Sequence, residues 1–288
     1  MIAGCCEKNQ REASLLVVIS TQLDETELVT IEIQRCINIT DSNHRMQVFH
    51  NEYTIHDMNN IRAITMDLDD TLWEIHPVIY RAERRLYEWL GKHYPRITRK
   101  FSRDAIVEQR KAIALKFPQQ AHDYTFLRRT VLGRIGALAN YDEQFVDEAM
   151  EVFDEVRNDV VVFPEVRPAL EALRNDYKLI AVTNGNSNLQ KIGIDDLFHD
   201  VVSASAAGVA KPAPKIFDIA VRAGGARTHE TLHVGDHPEI DVEGARAAGL
   251  QSVWVNRNGQ PWPKEFAKPD GIVTHVGQLQ SLLGAARK

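Results

Sequence analysis

Short apolar strands and helical segments alternate along the second half of the chain, and this alternation limits the possible folds more than any other feature. After Pro164 the expected elements are, in order, a helix from 168, a strand at 179–182, a helix near 189, a strand at 201–202, a helix at 214–223, a strand at 231–234, a helix at 240–248 and a strand at 252–255. Such alternation predicts an α/β fold with a parallel sheet flanked by helices. Ligands of open parallel sheets bind beyond the carboxyl ends of the strands, so residues that directly follow strands are the candidate site residues.

Two other segments precede this frame. Apolar side chains recur at helical spacing through 77–160, and breaks at 116–118 and 140–142 indicate about four helices. Residues 1–60 are patchily hydrophobic, with one alternating run at 28–33 that is typical of a strand. For this first segment an extension, an accessory strand and a misassigned start codon, with Met46 or Met58 as the true start, are open alternatives. The tail after Pro261 either covers the sheet edge or ends in a helix over 278–286.

The expected domain organisation follows from these patterns. Residues 1–60 form an N-terminal extension of unknown role, residues 61–75 and 161–288 form the α/β core, and residues 76–160 form an all-helical insert. The transition from the core into the insert lies directly after an apolar strand predicted at 61–66.

Composition restricts the partners. The 288 residues carry 34 Lys and Arg against 40 Asp and Glu, a formal charge of −6, which argues against nucleic acid or an anionic membrane surface and favours a small molecule. No apolar run approaches the roughly 20 residues needed to cross a bilayer, so cytoplasmic residence is the expectation. The three cysteines, Cys5, Cys6 and Cys36, indicate neither a zinc cluster nor a disulfide framework. Nothing in the sequence indicates an oligomeric state.

The densest chemical signal is the run Asp67-Leu-Asp69-Asp70-Thr71 after the strand at 61–66. Alternate residues of an extended segment point to the same side, so Asp67 and Asp69 can converge on one centre. Adjacent carboxylates repel each other, and a divalent cation such as Mg²⁺ keeps one ionised while another carries a proton. The alternative is an acidic surface loop, or a helix start capped by Asp70 or Thr71.

Two further motifs follow later strands. Thr183, Asn184 and Gly185 offer a hydroxyl, an amide and backbone N–H groups that suit a phosphate oxyanion, although Asn-Gly is also an ordinary turn pair. Lys211, followed by Pro212, could supply the fixed positive charge that a phosphoryl transition state requires. Taken alone, the lysine could equally be an ordinary surface residue.

The last motif is Gly-Asp236 followed five residues later by Asp241, after the strand at 231–234. The predicted ligands of Mg²⁺ are the carboxylates of Asp67, Asp69, Asp236 and Asp241. Asp241 binds the metal directly, binds it through water, or orients Lys211. His233 and His237 raise the alternative of zinc, but the surrounding carboxylates favour magnesium.

The four motifs, in the order Asp-x-Asp-x-Thr, Thr-Asn, Lys-Pro and Gly-Asp-x4-Asp, resemble those of the haloacid dehalogenase superfamily of aspartate-nucleophile phosphohydrolases. The resemblance covers about 61–260 and implies a doubly wound, Rossmann-like core with the helical insert as a small C1-type cap. It implies that Asp67 attacks phosphorus to form an aspartyl phosphate, and that Asp69 protonates the leaving oxygen and then activates water. It also implies that Thr183 and Lys211 hold the phosphoryl oxygens.

A narrower similarity concerns the substrate. Four runs are most similar to the bacterial phosphatases acting on flavin mononucleotide and on the riboflavin precursor 5-amino-6-(5-phosphoribitylamino)uracil, namely 67–73, 76–80, 82–83 and 183–186. These enzymes are often permissive toward sugar phosphates and nucleotides. Residues expected to bind the substrate are Thr71, Trp73, Arg128, Arg129, Thr183, Asn184, Gly185 and Lys211. Substrate choice is expected to depend on Trp73, His76, Tyr80 and the segment 124–129, with ordinary packing or a solvated helix face as the alternative for each of these. Trp73 could stack on a ring, and the two arginines could meet a polar body.

Three other functions compete with a magnesium-dependent phosphatase. Dehalogenases share the nucleophile but need no acid to protonate a leaving alkoxide, so Asp69 argues against them. Phosphomutases usually carry glycine where this chain has Asp70. A catalytically idle binding protein with the same fold is the third alternative, but every chemical position of the motifs is filled here. Hydrolysis of a small phosphorylated metabolite, with a role in riboflavin biosynthesis, is the function that the resemblance implies.

Overall fold

The computed structural model describes residues 13–16, 36–39, 47–48 and 58–286, and the chain divides into two compact units between Asp57 and Met58. In the first unit, three strands form an antiparallel sheet in the order β1-β2-β3. Their bounds are β1 Ala13–Leu16, β2 Cys36–Ile39 and β3 Gln47–Val48. The strand predicted at 28–33 lies outside the described residues.

The second unit contains a six-stranded parallel sheet in the order β6-β5-β4-β7-β8-β9, which confirms the predicted fold class. The strands are β4 Ala63–Met66, β5 Lys178–Thr183, β6 Asp200–Ser203, β7 Thr231–Gly235, β8 Gln251–Val255 and β9 Gly271–Val273. All four residues of β4 are buried because both faces of the sheet are covered, as is usual for parallel sheets. Along β5, Leu179 and Ala181 pack into one apolar cluster, whereas Ile180 and Val182 pack into another on the opposite face.

The order of the strands determines where the motifs meet. Within this six-stranded sheet the first strand is β4. The chain then adds β5 and β6 on one side of β4, and crosses to the other side at β7. Met66 of β4 is in register with Ala181 of β5 and with Val234 of β7, so the residues after these three strands lie at the same edge. This edge is the switch point at which open α/β sheets bind ligands.

Five helices lie between β4 and the next core helix, one more than the breaks in the sequence indicated. Their bounds are α1 Ile75–His93, α2 Pro95–Lys100, α3 Arg103–Lys116, α4 Tyr124–Leu138 and α5 Phe145–Arg157. The additional break separates α1 from α2 at Pro95, which is tolerated only in the first turn of a helix. These helices share an apolar cluster of their own, and the division into cap and core domains stays a prediction. No helix of the described residues is long and apolar enough to cross a membrane.

The remaining helices pack against the sheet. Their bounds are α6 Val166–Arg174, α7 Leu189–Ile192, α8 Ala204–Ala207, α9 Pro214–Gly224, α10 Gly244–Ala247 and α11 Leu279–Ala286. A π-helical turn over Pro238–Glu243 precedes α10. Both alternatives for the tail occur together, because β9 extends the sheet edge beside β8 and the chain then enters α11.

Candidate active site

The loop after β4 is folded back on itself. The amide of Asp67 continues the sheet by donating to the carbonyl of Val234, at 2.9 Å. Asp70 adopts a positive φ of 63°, which its short polar side chain tolerates, and its carboxylate accepts a hydrogen bond from the amide of Ile75 at the start of α1. Asp70 thus serves the helix start, one of the alternatives left open by the sequence. Thr71, by contrast, is fully buried among the carboxylates.

Lys211 lies at the centre of the site. Its Nζ donates to Oδ1 of Asp67 at 2.5 Å and to Oδ1 of Asp241 at 2.6 Å. The side chain of Asn184 holds the lysine backbone at both ends, since its amide donates to the Lys211 carbonyl at 3.0 Å and its oxygen accepts from the Lys211 amide at 2.7 Å. Only 3% of the surface of Lys211 is exposed, so the alternative of an ordinary surface lysine is wrong.

Asp241 is fixed by three donors. Besides Lys211, its Oδ1 lies 3.1 Å from Nε2 of His233, and its Oδ2 accepts from the backbone amide of His237 at 3.0 Å. Burial lowers the pKa of His233, so this ring is neutral at pH 7. A Cβ atom at Gly235 would lie 2.3 Å from Cγ of Asp241, so only glycine fits at position 235 while Asp241 keeps its place. Burial alone would raise the pKa of Asp241, but the Lys211 ammonium outweighs it and holds that pKa well below its usual range.

The negative charges of the cluster exceed its positive charge. Oxygen atoms of Asp67, Asp236 and Asp241 lie within 4.8 Å of one another, and Thr71 Oγ1 lies 3.2 Å from both Asp67 and Asp236. Burial raises the pKa of Asp67 despite the neighbouring Lys211. Burial, together with the charges of Asp241 and Asp70, raises the pKa of Asp236 to about 7. Three carboxylates against one lysine form an oxygen-rich donor set that fits Mg²⁺.

The carboxylate of Asp69 is not part of this group of three and has its own partners. Its Oδ1 accepts from Trp73 Nε1 at 2.9 Å, and Nη2 of Arg157 lies 3.0 and 2.8 Å from its two oxygens. The same Nη2 donates to Ser187 Oγ at 2.7 Å. Burial raises the pKa of Asp69, and the guanidinium of Arg157 opposes that rise. Among the side chains of 60–284, the carboxylate group that could hold a cation does not include Asp69.

Arg157 is the residue that the sequence motifs missed. It ends α5, its side chain is 1% exposed, and its Nη1 has no hydrogen-bond partner among the described residues. One sequence signal could have found it. Ala149, Phe153 and Arg157 follow at intervals of four, so a cation continues the apolar stripe of α5 toward the core.

Of the other predicted substrate residues, three lie next to Asp69 and one lies apart from the carboxylate cluster. The Gly185 amide donates to Thr183 Oγ1 at 2.8 Å, and a Cβ at Gly185 would lie 2.6 Å from Asp69 Oδ2, so both residues border Asp69. Trp73 is fully buried and faces Asp69 rather than an open pocket. Arg129 pairs with Asp147 on the outside of α4, and in the described part of the chain it makes no contact with the carboxylate cluster.

Two cavities open beside the cluster. One, of about 470 Å³, is lined by Asp70 and Asp236 together with His76 of α1 and Trp254 of β8. The other, of about 390 Å³, lies between Asn184 and the segment that leads into α4, including His122 and Tyr124. The loop after β5 also contacts α4 directly, through a hydrogen bond of 3.2 Å between the side chains of Asn186 and Thr125. The strand-end residues are therefore reachable from the side of the helical insert.

Comparison with known proteins identifies the family. The profile of the family described as haloacid dehalogenase-like hydrolase matches residues 61–249, a range that contains all four motifs. The chain belongs to the haloacid dehalogenase-like hydrolases. The predicted superfamily is thereby confirmed, and this hydrolase carries its motif residues at the shared edge of β4, β5 and β7.

Relatives of this hydrolase differ in reaction. The 5-amino-6-(5-phospho-D-ribitylamino)uracil phosphatase YigB of Escherichia coli (strain K12) is 30% identical over 234 residues, which cover 78% of this chain and 98% of the relative. The (S)-2-haloacid dehalogenase 2 of Pseudomonas sp. (strain CBS-3) is 26% identical over 249 residues, covering 80% and 98%. A crystal structure of 2-haloacid dehalogenase from Pseudomonas syringae pv. Tomato DC3000 is 35% identical, covers 78% of this chain and 99% of that one, and superposes with a TM-score of 0.75.

Proposed function

We propose that this hydrolase is a magnesium-dependent phosphatase that cleaves a small phosphomonoester through an aspartyl phosphate on Asp67. One observation carries the proposal. Two buried carboxylates, Asp67 and Asp241, pair with one buried lysine, and the half-buried carboxylate of Asp236 lies within 4.8 Å of both. A fourth carboxylate, Asp69, is held separately by Arg157. The similarity to a phosphatase over nearly that relative's whole length supports it.

Asp67 and Asp236 are the proposed magnesium ligands. Their carboxylates share Thr71 as a donor. Burial, together with the charges of Asp241 and Asp70, raises the pKa of Asp236, and a cation would offset those negative charges. Asp241 already accepts hydrogen bonds from Lys211, His233 and a backbone amide, so its proposed role is to orient the lysine and to contact the metal through water. When bound, Mg²⁺ would reduce the repulsion between the carboxylates and a phosphate dianion.

The proposed reaction has two steps. In the first, a carboxylate oxygen of Asp67 bonds to phosphorus, the bond from phosphorus to the leaving oxygen breaks, and protonated Asp69 delivers its proton to that oxygen. In the second, Asp69 takes a proton from water as the water oxygen attacks the aspartyl phosphate, which releases inorganic phosphate and restores Asp67. Lys211 and the Thr183 hydroxyl would hold the phosphoryl oxygens during both steps.

Asp69 is suited to carry this proton. Burial raises its pKa and favours the protonated acid, whereas the Arg157 guanidinium favours the carboxylate that the second step needs. The two effects oppose each other, and the two-step role requires a group that both gives and takes a proton. Arg157 is therefore proposed as a positioning residue that acts through Asp69.

The helical insert is proposed as the cap that selects the substrate. The cavity beside Asn184 is shared with the segment that leads into α4 and includes an imidazole and a phenol ring, from His122 and Tyr124. These rings could contact the ring system of flavin mononucleotide or of 5-amino-6-(5-phosphoribitylamino)uracil. The name of the E. coli relative gives the second of these as its substrate. Broader activity on sugar phosphates and nucleotides is the alternative within the same chemistry.

Dehalogenation of a 2-haloacid is the second candidate, since a structure of that description is 35% identical to this chain. A departing halide takes no proton, so the first step of this reaction needs no acid at Asp69. It also needs no cation, whereas the carboxylate group around Asp236 is suited to one. The phosphatase is favoured for both reasons.

The test measures the release of phosphate and the release of halide by the same protein. Phosphate release is measured from flavin mononucleotide, the riboflavin precursor, sugar phosphates and p-nitrophenyl phosphate with and without Mg²⁺, and halide release is measured from 2-chloropropionate. We expect metal-dependent phosphate release that Asp67→Asn abolishes and that Asp195→Asn, at an exposed position, leaves unchanged. Halide release without phosphate release would reverse the order of the two candidates, and neither release would point to a mutase or a binding protein.

A further inference from the structure

A cavity inside the helical insert has no role in the proposed reaction. It lies between α1, α3 and α4, and none of its lining residues belongs to the strand-end motifs. Leu86, Leu90, Val131 and Leu132 give it an apolar wall. Its volume is about 40 Å³, whereas one water molecule needs about 10–15 Å³ measured in the same way. The cavity therefore accommodates a ligand of a few non-hydrogen atoms.

One buried cation at this cavity, Arg128, is near two carboxylates, those of Glu83 and Asp154, but pairs directly with neither among the described side chains. Arg128 is only 7% exposed, and its guanidinium lies 3.4 Å from the centre of the Phe153 ring. Among the described side chains it makes neither a hydrogen bond nor an ion pair, although buried guanidinium groups normally do. Burial and the charge of Arg110 lower the pKa of Arg128 to about 9, against the opposing effect of the Glu83 and Asp154 carboxylates.

The other charged groups that line the cavity already have partners. Arg110 donates to Glu83 at 2.8 Å, and the guanidinium of Arg103 lies over the ring of Tyr80 at 4.7 Å. Three arginines and one glutamate therefore line the cavity, and Arg128 is the lining arginine without a direct polar partner among the described side chains.

We propose that this cavity is a binding site for a short-chain monocarboxylate, whose carboxylate pairs with Arg128 while its hydrocarbon end lies against the leucine and valine side chains. The planar guanidinium fork matches a carboxylate in a bidentate pair. The apolar wall favours a chain of two to four carbons over an inorganic anion of the same charge. The site is separate from the proposed phosphatase reaction and does not depend on it.

The test measures thermal unfolding of the full chain with acetate, propionate and butyrate at constant ionic strength. A ligand that binds only the folded protein raises Tm by about 3–6 °C at ten times its dissociation constant. We expect a saturable shift with propionate in the wild type and none in Arg128→Gln. The matched control is Arg129→Gln on the same helix, because Arg129 is 45% exposed and already pairs with Asp147. This control should keep the whole shift.

A second variant covers the case in which Arg128→Gln does not fold. Val107→Phe fills the cavity from a half-buried position and leaves the arginine in place, so it should fold and lose the shift. Equal Tm shifts with propionate in this variant and in the wild type would overturn the proposal, as would the absence of a Tm shift in the wild type. Equal shifts with chloride or phosphate would also overturn it, because the site would then not select a monocarboxylate.

Discussion

Removal of Arg157 should affect stability in a manner that depends on pH. The Arg157→Met substitution deletes a guanidinium that is 1% exposed and leaves the Asp69 carboxylate, whose side chain is 22% exposed, without its cation. Breaking a buried pair costs about 3–5 kcal/mol, and we expect about 3 kcal/mol at pH 8 because Asp69 is only partly buried. For a unit of this size that loss lowers Tm by about 6–12 °C.

The sign of the pH dependence follows from the pKa of Asp69. Burial already raises this pKa in the wild type, and loss of Arg157 removes the charge that opposes the rise. A carboxyl group with a raised pKa in the folded state destabilises the protein as pH rises from its unfolded pKa of about 4 toward the folded pKa. The difference in Tm between wild type and variant should therefore be largest at pH 8 and smallest near pH 5.

The same variant should change the balance between the two proposed steps. With its pKa raised further, Asp69 stays protonated and can still serve as the acid, but it becomes a poor base for the second step. We expect kcat to fall and the fraction of acid-stable, isotopically labelled phosphoenzyme in quenched steady-state samples to rise. Arg167→Met, at an exposed ion pair with Asp196, is the control and should alter neither quantity measurably. An equal Tm loss at pH 5 and pH 8, without phosphoenzyme accumulation, would refute this account of Arg157.

Three other predictions concern the carboxylate cluster. Gly235→Ala should lower kcat at least about 100-fold, because the new Cβ must displace Asp241. Gly284→Ala is the control and should keep full activity, because a Cβ at position 284 would have no other atom within 4 Å. Mg²⁺ affinity, measured by calorimetry, should fall about tenfold from pH 8 to pH 6 since Asp236, with a pKa of about 7, must lose its proton to bind; a flat profile would count against Asp236 as a ligand. Asn184→Ala removes two hydrogen bonds to the backbone of the central lysine and should cost about 1–3 kcal/mol in chemical denaturation, and an unchanged midpoint would contradict that role.

The strand-end part of the site could be predicted from the sequence because parallel strands align their carboxyl ends. Asp67 and Asp236 each follow an apolar strand, and the register of β4 with β7 brings them together. The role of Asn184 was less visible. It was predicted to contact phosphate, whereas in the structure it holds the backbone of Lys211, 27 residues away. A local pattern cannot reveal such a partner, because the pairing depends on how two loops meet.

The functional residues and helix boundaries of the insert were harder to predict from the sequence for a similar reason. Arg157 lies 88 residues from Asp69, and only the packing of α5 brings the two together. No motif marks it, and its one signal is a cation in an apolar stripe. The break at Pro95 was also missed, although proline disfavours helical backbone in the residue before it and is tolerated only in the first turn of a helix. The pairing of Arg129 with Asp147 likewise depends on the packing of α4 against α5.

Both junctions of the helical insert converge on one short loop. Where the insert begins, the amide of Ile75 donates to the carboxylate of Asp70. Where its last helix ends, Arg157 donates to Asp69. In the segment that follows, the Phe163 amide donates to the Leu72 carbonyl. An insert attached at two neighbouring points behaves as a replaceable module. A different helical bundle grafted between these junctions could recognise another substrate and keep the chemistry, provided that its final turn still supplies a guanidinium to Asp69.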